Sequence, residues 1–540
     1  MNSRTWLAVV LCIGIWFVYI EWFAPPPPSM DPSTGKVATT QSSAESPQTT
    51  PTISAGGPQK SEVFGAFSGL TLLPKTLETK SLVSIFSAQG GKLADVRAKS
   101  HRESLKKDAA FVPILDPAKS HFNLATLFTD KRLEKLSWSD YSVTEMGANS
   151  AQFKASEGAI QIQKNYELMD ASPWMNATIT LRLPEAGDWG AVLIPVGSTE
   201  PKYDANTPID SWEVVAYQND KVTRKTMDGL DIEDQLMQGA NSRWIAFGNR
   251  YFTTAVVNDS ELNPDIVFVK KHGFSGVYFK FPLSSKEAGQ LIELKFQYYL
   301  GGKDYTELAK VPGLKSLIDY GMFSVFAYPL LELLQFFYRF FHNYGLSIIL
   351  LTIVVRLIFY PLSAKSYRSM KAMQKLQPQI AALKLKYKDD MTKMNQEQMA
   401  LFKTHKVNPM GGCLPMLVQL PVFIALYAVL GNSIELYHAP FFGWIQDLSS
   451  KDPYYVYPVL MGLAMLVQTK LTPQTMADPM QQKMMYLMPV VFTFIMLNLP
   501  SGLTLYIFLS TLLGIIQQYS IQQSKDKTTP IIAAQVSKET

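Results

Sequence analysis

Apolar residues are unevenly placed along the chain. They gather in one run near the N-terminus (Trp6–Phe23) and in several beyond Tyr344, whereas between Glu62 and Leu300 they alternate with polar residues in short segments. Alternation at period two sends successive side chains to opposite faces of a strand. "NATITLRLPEAGDWG" (Asn176–Gly190) and "LIELKFQYYLGG" (Leu291–Gly302) are typical, with Gly, Asn, Asp and Pro at the turns. Repeated over residues 62–310, this pattern predicts a large all-β sandwich domain.

The later runs are long enough for membrane helices. Tyr344–Leu362, Leu414–Leu430 and Tyr454–Thr469 each predict a span, and Tyr486–Gln518 predicts two because "NLPSG" (Asn498–Gly502) breaks it. The N-terminal run makes six. Trp22 and Phe23 are not the small residues that precede a signal-peptide cut, so residues 1–23 are expected to stay as an anchor. Residues 24–61, rich in Pro, Ser and Thr, predict a disordered linker. "MFSVFAYPLLELLQFFYRFF" (Met322–Phe341) holds Pro329, Glu332 and Arg339, so the segment 311–343 is expected to be an amphipathic helix at the membrane interface. The fold class expected is a polytopic α-helical membrane protein, with six spans and a five-helix core, plus the β-sandwich.

Charge then orients these elements. The net charge of +5 conceals a split: residues 24–343 hold 32 Lys and Arg against 35 Asp and Glu, leaving the excess to the remaining segments. Residues 363–413, which follow the span 344–362, hold ten Lys and Arg against three Asp and Glu, while 433–453 hold one against three. Basic loops face the cytoplasm, so both termini, including a tail at 519–540, are expected there. The β domain is expected in the periplasm of a bacterial inner membrane. The same distribution argues for topology rather than nucleic-acid binding. Only Cys12 and Cys413 are present, and His101, His121 and His272 share no ligand spacing, so no disulfide framework, metal or cofactor is expected.

One residue stands out chemically. Arg356 lies inside "SIILLTIVVRLIFYPLSAKSYRSM" (Ser347–Met370), where a central arginine costs about 2.5–3.5 kcal/mol on insertion scales. It could snorkel to the cytoplasmic headgroups, since the six residues to Leu362 span roughly 9 Å of helix. Alternatively it is functional. Thr352, Arg356, Tyr360 and Ser363 fall on one face of a continuous helix, and the other core spans contain no Asp or Glu to pair with it. A water-filled cavity open to the cytoplasm, receiving an acidic group from outside, would satisfy both facts. A solute transporter or channel with an exported β domain is the alternative. Ion-coupled transport relies on titratable groups within the membrane, which arginine does not replace.

The remaining polar residues of the spans, Gln419, Asn432, Gln468, Thr493, Asn498, Ser501, Thr504, Ser510 and Thr511, individually suggest contacts between helices. The basic loop predicts a hairpin of two helices about Asp389–Asp390, along which Met370, Met373, Met391, Met394 and Met399 recur. They suit either the hairpin's own seam or adaptable contact with hydrophobic segments. Its lysines suit anionic lipid or ribosomal RNA. No phosphate-binding, hydrolase or zinc-protease motif appears, so no enzyme is expected.

"VNPMGGCLPMLVQLPVFIALY" (Val407–Tyr427), with "TIVVRLIFYPL", "DPYYVYPVLMG", "DPMQQKMMYLMPVVFTF" and "PSGLTLY" in order, resembles the YidC-type membrane protein insertases of the YidC/Oxa/Alb family. The resemblance covers the helical part, from about Asp319 to Gln518, by motif and the β domain by layout. It implies an ATP-independent insertase and chaperone for nascent membrane proteins, acting alone or with the Sec translocon, with the ribosome and membrane lipids as further partners and no small-molecule substrate. It also implies a hydrophilic groove in which Arg356 matches the family's groove arginine. Thr352, Gln419, Thr504 and Tyr506 are the other groove candidates, and the hairpin Ala364–Lys406, with Met370, Met373, Met394 and Met399, would receive clients. Ile507 and Thr511 depart from the commonest family pattern at the expected slide.

Overall fold

The structure is a computed structural model that describes residues 72–116, 122–198, 212–227, 230, 235–237, 241–271, 274–388, 390–405, 407, 414–472 and 479–523. The expected anchor (1–23), the linker (24–61), both cysteines and the tail beyond Gln523 lie outside the described residues.

Strand alternation becomes a two-sided core. In Ile160–Leu168, Ile160, Ile162, Tyr166 and Leu168 are buried while Gln161 and Glu167 are exposed. Lys164 occupies an inward position of that strand, and its Nζ donates to the Gly90 carbonyl at 2.6 Å beside the Tyr141 ring. A nine-stranded antiparallel sheet runs from Lys221–Thr226 to Ser142–Met146, with Leu291–Gly302 at its centre between Phe252–Asn258 and Trp174–Arg182. A five-stranded sheet is built on the pair Gly187–Ser198 and Phe274–Ser285. Ile162, Ile179, Leu294 and Phe296 from the larger sheet share a core with Val192, Ile194, Phe279 and Phe281 from the smaller. A four-stranded sheet, Leu72–Glu78 to Phe111–Leu115, adds Leu82, Phe86 and Val96. The sandwich is therefore present, from Leu72 to Gly302.

The other face of the large sheet carries the helical part. Tyr217 stacks on Trp244, whose indole donates to the Pro312 carbonyl, and Arg224 donates to the Ser316 carbonyl at 2.6 Å. Further along, Tyr251 donates to the Gly431 carbonyl, and Asn432 donates to the Asp319 carbonyl. These bonds tie the sheet to one end of the helices.

Nine helices of ten residues or more follow among the described residues: α1 (Ser324–Phe341), α2 (Tyr344–Ile358), α3 (Tyr360–Lys375), α4 (Gln377–Lys386), α5 (Met391–Thr404), α6 (Leu414–Asn432), α7 (Val456–Leu471), α8 (Pro479–Met496) and α9 (Ser501–Gln523). Gly321–Phe341 and Ser501–Ile521 are each long and apolar enough to cross a membrane, and the bent pair α2–α3 makes a third such unit. In α1, Ala327, Leu331 and Leu334 form a buried stripe while Val325, Phe326, Phe336, Phe340 and Phe341 are exposed, an amphipathic arrangement.

Two sequence expectations are corrected. The run 344–362 is not one straight helix: α2 ends at Ile358 and α3 leaves at 59°. Pro361 has no N–H to extend α2 and suits the first turn of a new helix. The stripe Thr352, Arg356, Tyr360 and Ser363 is broken there, leaving Tyr360 46% exposed. The first hairpin arm is also divided, with Pro378 in the first turn of α4. Leu376–Asn408 forms a unit of its own, whereas Met370 and Met373 lie on α3 with the bundle. In that separate unit Asp390 caps α5 by accepting from the Lys393 N–H at 2.9 Å. Met394, Ile380 and Phe402 are buried there, while Met391 and Met399 are exposed at 47% and 43%.

Candidate functional site

Arg356 sits in the last turn of α2, and its side chain turns inward. Its neighbours Leu357 and Ile358 are both 65% exposed, so the lipid-facing side of the turn is apolar. The guanidinium instead reaches α9, donating from Nε at 3.0 Å and from a terminal nitrogen at 2.8 Å to Ser510 Oγ. One turn on, α9 presents Gly514. A Cβ there would lie 3.2 Å from the Gln468 amide and 3.4–3.5 Å from the guanidinium nitrogens. The missing side chain leaves room for the cation.

Arg356 borders an open cavity of about 380 Å³. Ser363, Ser366, Tyr367 and Met370 line it from α3, Gln419, Leu420 and Phe423 from α6, and Gln468 from α7, with Thr472 just beyond. Tyr506 is buried behind it, its hydroxyl facing Ser510 and Gln419. These segments meet at the end of the bundle where α2 gives way to α3. Among the described residues, no carboxylate lines the cavity and no ion pair to Arg356 occurs. Its resident partner is a neutral hydroxyl, which stabilises a cation without cancelling its charge. An open cavity of this size admits water and an anionic group.

Of the five groove candidates, Arg356 and Gln419 line this cavity and Tyr506 supports it. Thr352 and Thr504 do not. Both are fully buried, and their hydroxyls bond backward to the carbonyls of Ile348 and Ser501 in their own helices, the common way for a helical threonine to satisfy itself. Ile507 and Thr511 are buried as well. Of the hairpin methionines, Met370 lines the cavity, Met373 is buried on α3, and Met394 and Met399 belong to the separate helical unit. Ser510 and Gly514 are the residues that sequence reasoning undervalued. Tyr506, Ser510, Gly514 and Gln517 recur at helical spacing, and that was the available signal.

Fold and cavity together define a helical membrane protein with a β-rich extramembrane domain and, at the end of its bundle, a half-buried arginine that has no ion pair among the described residues. Residues 336–528 match the family described as the 60 kDa inner membrane protein, and residues 75–333 match the YidC periplasmic domain. The membrane protein insertase YidC of Geobacter metallireducens is 37% identical over 540 residues, covering 97% of this chain and 99% of that protein. The protein of the same name from Geotalea daltonii is 36% identical over 554 residues, covering 97% and 99%. A solved active YidC insertase with its first transmembrane domain resolved aligns over 85% of this chain and 95% of its own, at 20% identity and a TM-score of 0.36. The chain belongs to the YidC family. The family is one of inner-membrane proteins, and the β-rich region is its periplasmic domain.

Proposed function

We propose that this protein inserts hydrophobic segments of nascent membrane proteins into the inner membrane and chaperones their folding, alone or with the Sec translocon. In this reading the N-terminal run, α2, α6, α7, α8 and α9 make six spans, α1 lies at the outer interface, and both termini face the cytoplasm. The helical unit 376–408 meets clients emerging from the ribosome. The polar flank of a client enters the cavity beside Arg356, and its apolar segment then partitions into lipid. A helix of about 20 apolar residues supplies a large favourable transfer free energy, so the step needs no nucleotide.

The observation that supports this reading is the state of Arg356: a cation within the bundle, bonded to a neutral hydroxyl and bordering an open cavity. A passing acidic flank supplies the negative partner that the cavity lacks. Insertion of a client with an acidic flank into proteoliposomes tests it. Arg356→Ala should lose most insertion of that client and little of one with a neutral flank, while Arg356→Lys should keep part of it. Equal insertion of the acidic client by wild type and Arg356→Ala would refute the role.

A further inference from the structure

A second cavity, of about 670 Å³, lies at the opposite end of the bundle, between the helices and the β domain. It is bordered by the loop after the strand Lys92–Arg102, by the corner between α1 and α2, and by the loop after α6. Its rim is basic: "KSHRESLKK" (Lys99–Lys107) holds four cations against Glu103.

The acidic groups around the cavity are already engaged. Asp304 caps a short helical turn by accepting from the Glu307 N–H at 2.9 Å. Glu435 accepts from Gln335 at 2.7 Å, and burial pushes its carboxyl up to about 7. Among the cations, Lys99 is paired with Glu78 at 2.7 Å. Arg102 donates to the Ala109 carbonyl and lies over the Phe111 ring. Lys106 and Lys107 are exposed and have no ion pair among the described residues. The N-terminus of α2, capped by Asn343, opens on the same space, and its dipole adds positive potential. His101 adds none, because burial and neighbouring His438 hold its imidazole down at about 4.

Beside this positive mouth lies an apolar shoulder. Leu105, at the tip of the same loop, is 54% exposed and lines the cavity together with Phe111, Tyr338 and Tyr344, and Phe341, next to the lining residue His342, is 50% exposed. An inorganic anion has no use for such a shoulder, whereas an amphiphile does.

We propose that this cavity is a headgroup site for an anionic glycerophospholipid of the outer leaflet. Its phosphodiester is held by Lys106, Lys107 and Arg102 at the start of α2, and its acyl chains lie against Leu105 and Phe341. The site rests on the periplasmic position of the β domain and is independent of Arg356.

Native mass spectrometry of the full-length protein in detergent tests it, with phosphatidylglycerol, phosphatidylcholine and inorganic phosphate as probes. Wild type should retain phosphatidylglycerol in preference to phosphatidylcholine, and millimolar inorganic phosphate should not displace it. Lys106→Gln with Lys107→Gln should weaken phosphatidylglycerol binding on the order of tenfold or more, from the charge of two lysines at a lipid surface. Arginine at both positions should restore it, and Lys286→Gln, an exposed change elsewhere on the β domain, should leave it unaltered. Undiminished binding by the glutamine pair, or equal retention of phosphatidylcholine, would overturn the proposal. Displacement by inorganic phosphate would replace the lipid with a free anion and overturn it equally.

Discussion

Replacing Ser510 with alanine removes the one hydroxyl among the described residues that accepts from Arg356, and with it two hydrogen bonds, of 3.0 and 2.8 Å. A hydrogen bond to a charged group contributes about 1.5–3 kcal/mol when nothing replaces it. Here the adjoining cavity is open, so water takes over much of the lost bonding. The net loss should be about 1 kcal/mol, roughly fivefold in rate or affinity. Under the proposed function that loss falls on the position of the guanidinium, so it should appear only while the guanidinium is present. Insertion of a client with an acidic flank, measured for wild type, Ser510→Ala, Arg356→Ala and the double variant, forms the required cycle. Ser510→Ala should insert about fivefold more slowly, Arg356→Ala should be more impaired, and the double variant should match Arg356→Ala. If Ser510→Ala costs the same factor in both backgrounds, the hydroxyl does not act through Arg356 and the reasoning fails.

Gly514 offers a steric version of that test. Alanine there presses on the Gln468 amide at 3.2 Å, a flexible side-chain end that can yield a few tenths of an ångström, and meets the guanidinium nitrogens at an ordinary 3.4–3.5 Å; it should insert clients normally while gaining about 1 kcal/mol in helix propensity. Gly514→Leu fills the space of the guanidinium and should be as impaired as Arg356→Ala; normal insertion would show that the close approach is dispensable. Glu435 gives a pH signature through burial, which raises its carboxyl from 4.5 to about 7. The folded state then binds the extra proton between those values, so stability falls as pH rises through that window. Glu435→Gln should raise the unfolding temperature at pH 8, by a gain of at most about 3 kcal/mol, and leave it unchanged at pH 4. An unaltered pH slope in that variant would rule out this carboxyl as its source.

The parts legible in the sequence were those set by local periodicity. Ile292, Leu294, Phe296 and Tyr298 alternate inward as their spacing requires, and α6 and α7 fall within two residues of the apolar runs that predicted them. The bend after Ile358 was signalled by Pro361, yet the polar stripe had been extended through it as though α2 and α3 were one rod. Pro378 likewise marked a helix start that removed Met370 from the hairpin and left it on α3. Polarity alone also misjudged the threonines. Thr352 and Thr504 look like cavity residues in a list of polar positions, but a hydroxyl that can reach its own helix backbone needs no cavity.

Arginine has no such escape, and that decides which polar residues of the bundle belong together. Its guanidinium carries five donors in a plane and none reaches a carbonyl of its own helix easily, so its partners come from elsewhere in the chain. Ser510 lies 154 positions away, a separation that no local pattern encodes. What the sequence did encode was the deficit, an arginine among spans without a carboxylate, and on α9 a face of Tyr506, Ser510, Gly514 and Gln517 that recurs at helical spacing and carries polar groups. Bringing the two together leaves the cation neither neutralised nor exposed to lipid. A bundle built for stability alone would pack better with an apolar residue at position 356, so the retained charge points to a requirement outside the fold.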